Sequence, residues 1–232
     1  MSQSSSLSIG MLLFPGLTQL DLTGPYEVFA RAPEARVHLI GKTRQPVISD
    51  RGMGILPTHT FDDCPVLDVI CIPGGPGQIT LMDDDETLSF IRHHSENAKL
   101  VTSVCTGSLV LGAAGLLQGY KATTHWASLD QLALLGAEPV NQRVVRDRNR
   151  ITGAGVTSGI DFALSVIADL YGADTAQHIQ LQMEYNPEPP FLSGSPAVAS
   201  ATLVEQAKKQ MAPFIEKRRL ATEAAGRKLV KR

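Results

Sequence analysis

Ser103-Val104-Cys105-Thr106-Gly107-Ser108-Leu109-Val110 put a cysteine where an apolar β-rich run passes directly into a helix-forming one. A thiol there is set up to react. Residues 99–104 read as a short strand and residues 107–117 as a small, apolar helix. Backbone N–H groups at a helix start are unpaired and carry roughly half a positive charge, so the expectation is a thiol pKa below the free value of about 8.5. The same turn exposes serine in hydrolase nucleophile elbows. Most cysteines are instead small core hydrophobes, which is the reading for Cys71 inside Val69-Ile70-Cys71-Ile72. Cys64 precedes a proline in a polar loop, with no helix start beside it. The three cysteines are widely spaced and form no CxxC pair, so neither a disulfide nor a metal site is expected.

In an open α/β sheet, segments that follow different strands converge beyond the strands' carboxyl ends. Residues 15–25 hold one carboxylate, Asp21, in an otherwise uncharged stretch ahead of an expected helix. It reads as a proton carrier, or equally as a helix N-cap. Pro73-Gly74-Gly75-Pro76-Gly77 follows the third strand and lets backbone approach a ligand closely. With the Thr106 amide, Gly74 and Gly75 make a candidate hole for developing negative charge, against the plainer reading of a turn. His125, before Trp126, is the first partner a cysteine enzyme would seek, and equally a hydrogen-bonded structural histidine. Val156 lies in Gly153-Ala154-Gly155-Val156-Thr157-Ser158-Gly159, where tight packing is favoured over a role beside the elbow. There is no GxGxxG and no P-loop, so nucleotide binding is not indicated.

The elements that must position these residues alternate between apolar strand-like runs (7–14, 36–40, 67–73, 99–104) and helical stretches (26–31, 85–98, 126–135, 159–171, 173–185). Continuous apolar strands predict burial on both faces, hence an α/β fold with a mostly parallel sheet and helices on both faces. Residues 143–152 read as a hairpin whose four arginines face water rather than an anion. Residues 186–196 are a proline-rich connector. Beyond it, residues 201–225 read as one exposed helix with a basic, solvated end. The division expected is a catalytic domain over 1–196 and a helical extension over 197–232. With 232 residues, 43% apolar, 19% charged and a net charge of −2, the chain suits one soluble enzyme-like domain without a general nucleic-acid surface. The start of the chain has no basic region, and no span is long enough for a membrane. Free thiols then point to the cytoplasm.

Gln19-Leu20-Asp21-Leu22-Thr23-Gly24-Pro25, Asp68-Val69-Ile70-Cys71-Ile72-Pro73-Gly74-Gly75, the elbow through Leu117, and Ala122-Thr123-Thr124-His125-Trp126 resemble the ThiJ/PfpI superfamily, and within it the branch that hydrates isocyanides. The likeness runs from Ser8 to about Pro196. It implies a flavodoxin-like, glutamine-amidotransferase-like sandwich and a homodimer. It also implies cofactor-free conversion of R–N≡C to the N-substituted formamide, with a thioimidate on Cys105 and Asp21 as general acid. The Thr106 and Gly75 amides and the Thr106 hydroxyl would hold charge or orient the adduct. Gly74, Gly75, His125, Trp126 and Val156 would line the substrate, with His125 ranked behind the front line. No metal, nucleic acid or membrane partner is implied.

Two departures from the wider superfamily favour that branch. Thr106 stands where peptidase-type members carry histidine, and Asp21 where most relatives carry glutamate. A competing reading is a ligand- or redox-sensing domain like those of AraC-type regulators; the 36 residues after Pro196 are too few for a helix-turn-helix region. Glyoxalase-like or deglycase-like activity is the other alternative, since an elbow cysteine is competent for it.

Overall fold

The computed structural model describes residues 6–230. The serine-rich start of the chain through Ser5, and the terminal Lys231-Arg232 of the basic tail, lie outside the described residues. In chain order the strands are β1 (Ser8–Leu12), β2 (Arg36–Gly41), β3 (Val47–Ile48), β4 (Gly54–Ile55), β5 (His59–Thr60), β6 (Val69–Ile72), β7 (Leu100–Val104), β8 (Lys121–Ala122), β9 (Glu138–Pro139), β10 (Val144–Asp147) and β11 (Arg150–Gly153). The helices are α1 (Gln19–Phe29), α2 (Gln78–Leu81), α3 (Asp85–Glu96), α4 (Gly107–Ala113), α5 (Ser158–Tyr171), α6 (Ala173–Gln182) and α7 (Ala201–Leu229), with a 3₁₀ helix over Trp126–Leu135.

Seven strands form the central sheet in the order β10-β11-β7-β6-β1-β2-β5. Every pairing in it is parallel except β10 with β11. β6 and β7 are buried at every position, as strands covered on both faces must be; β6 accordingly runs apolar without alternation, and the only polar residues of β7 are the small, fully buried Thr102 and Ser103. One group of helices packs α1 against α5 and α5 against α6. The other packs α4 against α2, α3, α7 and the 3₁₀ helix. The four expected strands are present, and residues 143–152 form the expected hairpin. Its arginines are engaged: Arg143 Nε donates to Asp161 at 2.7 Å, Arg146 pairs with Asp169 at 2.9 Å, Arg148 stacks on Tyr120, and Arg150 Nε donates to the Leu116 carbonyl at 2.8 Å. The anion reading of that stretch has no support.

Two expectations are corrected. The first helix begins at Gln19 rather than at residue 26, so Asp21 stands within its first turn instead of ahead of it. Gly24-Pro25 looks like a helix stop, yet here Pro25 sits inside α1 and simply deprives the Asp21 carbonyl of its intrahelical donor. The second concerns α7, which is not a solvated tail. Arg218, Thr222 and Ala225 are buried on it, and it packs along the 3₁₀ helix. A Cβ at Gly226 would fall 2.3 Å from the Leu134 carbonyl oxygen, so only glycine permits that approach. No helix among the described residues is long and apolar enough to cross a membrane.

Candidate functional site

Four adjacent strands deliver the candidate residues to one end of the sheet. β1 leads through residues 13–18 to Asp21, β6 to Gly74 and Gly75, β7 to Cys105, and β11 to Ala154 and Val156. This is the carboxyl end of the parallel strands, where the order of connection reverses between β1 and β6.

Cys105 is the turn itself. Its φ is +54°, a left-handed conformation that costs a non-glycine residue roughly 1 kcal/mol or more and is worth keeping only where geometry demands it. The distortion is clamped on both sides. The Cys105 N–H donates to the Gly153 carbonyl at 3.0 Å, extending the β7–β11 ladder by one step. Its carbonyl accepts from Thr124 Oγ1 at 2.9 Å and from Ser108 Oγ at 3.1 Å. The side chain is almost closed off, at 5% exposure.

Asp21 is fully buried, and burial is the main reason its carboxyl is pushed up to about 7. The neighbouring Cys105 thiol and the Gly74 N–H act to hold it down, and the Asp50 carboxylate adds to the rise. Gly74 N–H donates to Asp21 Oδ2 at 3.0 Å, while Oδ1 is buried with no hydrogen-bond partner. That leaves one oxygen open to take up or release a proton. A Cβ on Gly74 would lie 2.5 Å from the Thr106 nitrogen and 2.7 Å from Asp21 Oδ2, so a side chain there would part the acid from the elbow.

Two of the expectations about charge do not hold. The Cys105 thiol is not acidified: burial, then the nearby Asp21 charge, push it well above the ordinary thiol value, against the Thr106 N–H and the more distant Arg218. A start of helix offers partial charges, whereas full desolvation and a carboxylate neighbour weigh more. The Gly75 amide is also not free for an anion, because it donates to Thr106 Oγ1 at 3.1 Å. The glycine loop thus serves the candidate side chains, holding Asp21 through Gly74 and Thr106 through Gly75. Since the Thr106 hydroxyl oxygen accepts there, its proton is available to donate elsewhere.

His125 caps the 3₁₀ helix, accepting from the Ala127 N–H at 3.3 Å through Nδ1. Burial, helped by Arg218, lowers it to about 4, so the ring is neutral near pH 7. No hydrogen bond joins it to Cys105 among those described, and it stands near Gly155. Trp126 lines a small groove of about 80 Å³ against Ser193, Pro196 and Leu203. Val156 borders a cleft of about 600 Å³ with Leu20, Gly24, Ile160 and Tyr185, alongside the helix that carries Asp21. A third cavity, of about 460 Å³ beneath the β3–β4 hairpin, touches none of the candidate residues. Among the described residues, no three His, Cys, Asp or Glu side chains group as a metal site would.

Three groups near the site carry no local sequence signal of function. Asp50 sits behind Asp21, accepting from Thr18 Oγ1 at 3.3 Å. Gln78, the first residue of α2, is fully buried with neither end of its carboxamide partnered. Arg218 arrives from α7, 113 residues after the cysteine in sequence (218 less 105). The inward stripe of that helix is Arg218, Thr222 and Ala225, spaced by four and then three residues.

Residues 7–169 match the model of the DJ-1/PfpI family. An isonitrile hydratase of Pseudomonas putida is 58% identical over 224 residues, covering 97% of this chain and 98% of that protein. The HTH-type transcriptional regulator GbdR of Pseudomonas aeruginosa is 30% identical over 188 residues, covering 77% of this chain and 50% of the regulator. Among solved structures, a ThiJ/PfpI family protein from Pseudomonas syringae superposes with a TM-score of 0.92 at 47% identity, over 94% of this chain and 91% of that one.

Proposed function

The chain belongs to the DJ-1/PfpI family, and we propose that it adds water to isocyanides, R–N≡C, to give N-substituted formamides by covalent catalysis at Cys105. The observation that carries this reading is the pairing of a thiol of raised proton affinity with a buried carboxyl near 7, one oxygen of which is held and the other open. The likeness to an isonitrile hydratase along nearly the whole chain supports the choice of electrophile.

At rest the proton sits on sulfur and Asp21 is the group able to receive it. As the sulfur attacks the terminal carbon, the S–H proton passes to Asp21, which then delivers it to that carbon. The product is the thioimidate R–N=CH–S–Cys105, with one C–S and one C–H bond formed. Asp21, again a carboxylate, takes a proton from water as the oxygen adds to the same carbon, and nitrogen receives that proton. The tetrahedral adduct R–NH–CH(OH)–S then collapses: the C–S bond breaks, the hydroxyl proton returns to sulfur through Asp21, and R–NH–CHO leaves. The Thr106 hydroxyl is a donor for nitrogen or oxygen during these steps, fixed by its bond from Gly75. Neutral His125 takes no proton in this scheme. Trp126, Val156 and the Gly74-Gly75 loop shape the approach rather than the chemistry.

The same reading carries a cytoplasmic homodimer acting on a small molecule. Incubation with an aliphatic isocyanide and, separately, with methylglyoxal, followed by product identification, tests the assignment. Formamide from the isocyanide is expected; lactate from methylglyoxal with no formamide would overturn it in favour of a glyoxalase-like enzyme.

A further inference from the structure

Arg218 is a full positive charge in a place where charges are expensive. It is 5% exposed, and no carboxylate forms an ion pair with it among the described residues. One of its nitrogens donates to Ser128 Oγ at 2.9 Å, its guanidinium carbon lies 4.7 Å from the centre of the Phe214 ring, and Nε is buried without a partner. A buried guanidinium left with one neutral partner is destabilising unless some anion shares its field. Hydrogen bonds tie it to the elbow: Ser128, its acceptor, donates its own N–H to the His125 carbonyl at 2.9 Å, and Thr124, next to His125, donates Oγ1 to the Cys105 carbonyl at 2.9 Å. Across that short path its charge favours the Cys105 thiolate and disfavours a charged His125.

The helix that carries the guanidinium is also held firmly. Thr222, one turn along α7, donates to Gln131 Oε1 at 3.0 Å, and Gln131 Nε2 donates to the Ile215 carbonyl at 3.4 Å. Arg219 pairs with Asp130 and Lys228 with Asp83, so both edges of the helix are tied down. Gly226 allows the close seating that brings Arg218 inward.

We propose that Arg218 is a positioning residue for the reaction, supplying the fixed positive charge against which the Cys105 sulfur becomes a thiolate. The inference rests on Cys105 being the nucleophile. When the proton moves from sulfur to Asp21, negative charge moves from the carboxylate to the sulfur while Arg218 stays positive. Asp21, Cys105 and Arg218 together therefore carry no net charge before or after the transfer, and the Asp50 carboxylate behind Asp21 favours leaving the negative charge on sulfur. Around the sulfur, Asp21 on α1 opposes the thiolate, the Thr106 N–H at the start of α4 and Arg218 on α7 favour it, and His125 is neutral. α7 is thereby part of the active site and not an appendage to it.

Alkylation of Cys105 by iodoacetamide, followed against pH by peptide mass spectrometry, tests this without any isocyanide. Arg218→Met should slow alkylation of Cys105 about tenfold across pH 7 to 9, the fold-change of a thiol whose proton affinity has risen by about one pK unit. Arg218→Lys should stay within about threefold of wild type, because the charge is kept. An Arg218→Met curve superimposable on wild type would overturn the proposal, whatever happens to its melting temperature. If that variant does not fold by circular dichroism, Arg218→Gln must show the same slowing. Failure of wild-type protein to hydrate isocyanides would break the functional reading and leave this titration untouched.

Discussion

Cys71 and Cys105 lie on neighbouring strands or at their ends, both buried, both influenced by Asp21, and both with a thiol that holds its proton tightly. Burial takes Cys71 up to about 12. The two thiols therefore do not differ in the way a low-pKa nucleophile differs from a core cysteine. What differs is geometry. Cys71 is mid-strand in β6, paired in register with Thr102, whereas Cys105 is turned out of the sheet by a φ of +54°, beside the Asp21 carboxyl. In the proposed mechanism, reactivity depends on a route for the proton and a place for the charge, rather than on a thiolate already present at rest.

Deleting each sulfur is the harshest way to break that comparison. Cys105→Ala should lower isocyanide turnover by at least about 10³-fold, the scale of losing a nucleophile. Cys71→Ala should retain kcat within about twofold and lose about 1–2 kcal/mol of stability from the cavity left in the sheet. Steady-state rates and denaturant melts on both variants separate the two outcomes. Equal loss of activity would mean that the elbow has no special standing.

Asp21→Asn sharpens the same contrast. It should cut hydration by about 10²-fold or more, since no group remains to move the proton to carbon. Alkylation of Cys105 should not slow, because removing the carboxylate charge makes the thiolate easier to form. Parallel loss of both rates would show that Asp21 merely supports the fold.

A smaller effect appears in stability. Asp21 binds its proton with a pKa of about 7 in the folded chain against 3.8 as the ordinary value. Between about pH 4 and 7 the native state therefore holds a proton that the unfolded chain has released, and stability falls as pH rises through that window. Asp21→Asn removes this loss. Its Tm relative to wild type should climb from pH 4 to pH 8 by several degrees, at roughly 2–4 °C per kcal/mol. A Tm difference that does not change with pH would contradict the raised affinity.

The strands and the elbow were legible because β-branched runs ending at Val104 and small residues from Gly107 state their preferences locally. Asp21 stood out as the lone carboxylate of an uncharged stretch. Its place inside a helix did not, because Gly24-Pro25 looks like a stop and only the packing of α1 on α5 overrides it. The proton affinity of Cys105 is illegible in sequence for a related reason. A helix start is visible in sequence, while the desolvation that outweighs it comes from strands and helices far along the chain. Arg218 was hidden in Lys217-Arg218-Arg219, a run that normally faces water. One arginine of that run faces in, and only its helical spacing from the small residues Thr222 and Ala225 hints at which.

The central claim is that Cys105 forms the covalent intermediate and Cys71 does not. Rapid-quench mass spectrometry during turnover of an aliphatic isocyanide tests it most directly. A transient gain equal to one isocyanide is expected, mapped to the Cys105 peptide, kept in Cys71→Ala and absent in Cys105→Ala. Sustained formamide production with no adduct on Cys105 would contradict it.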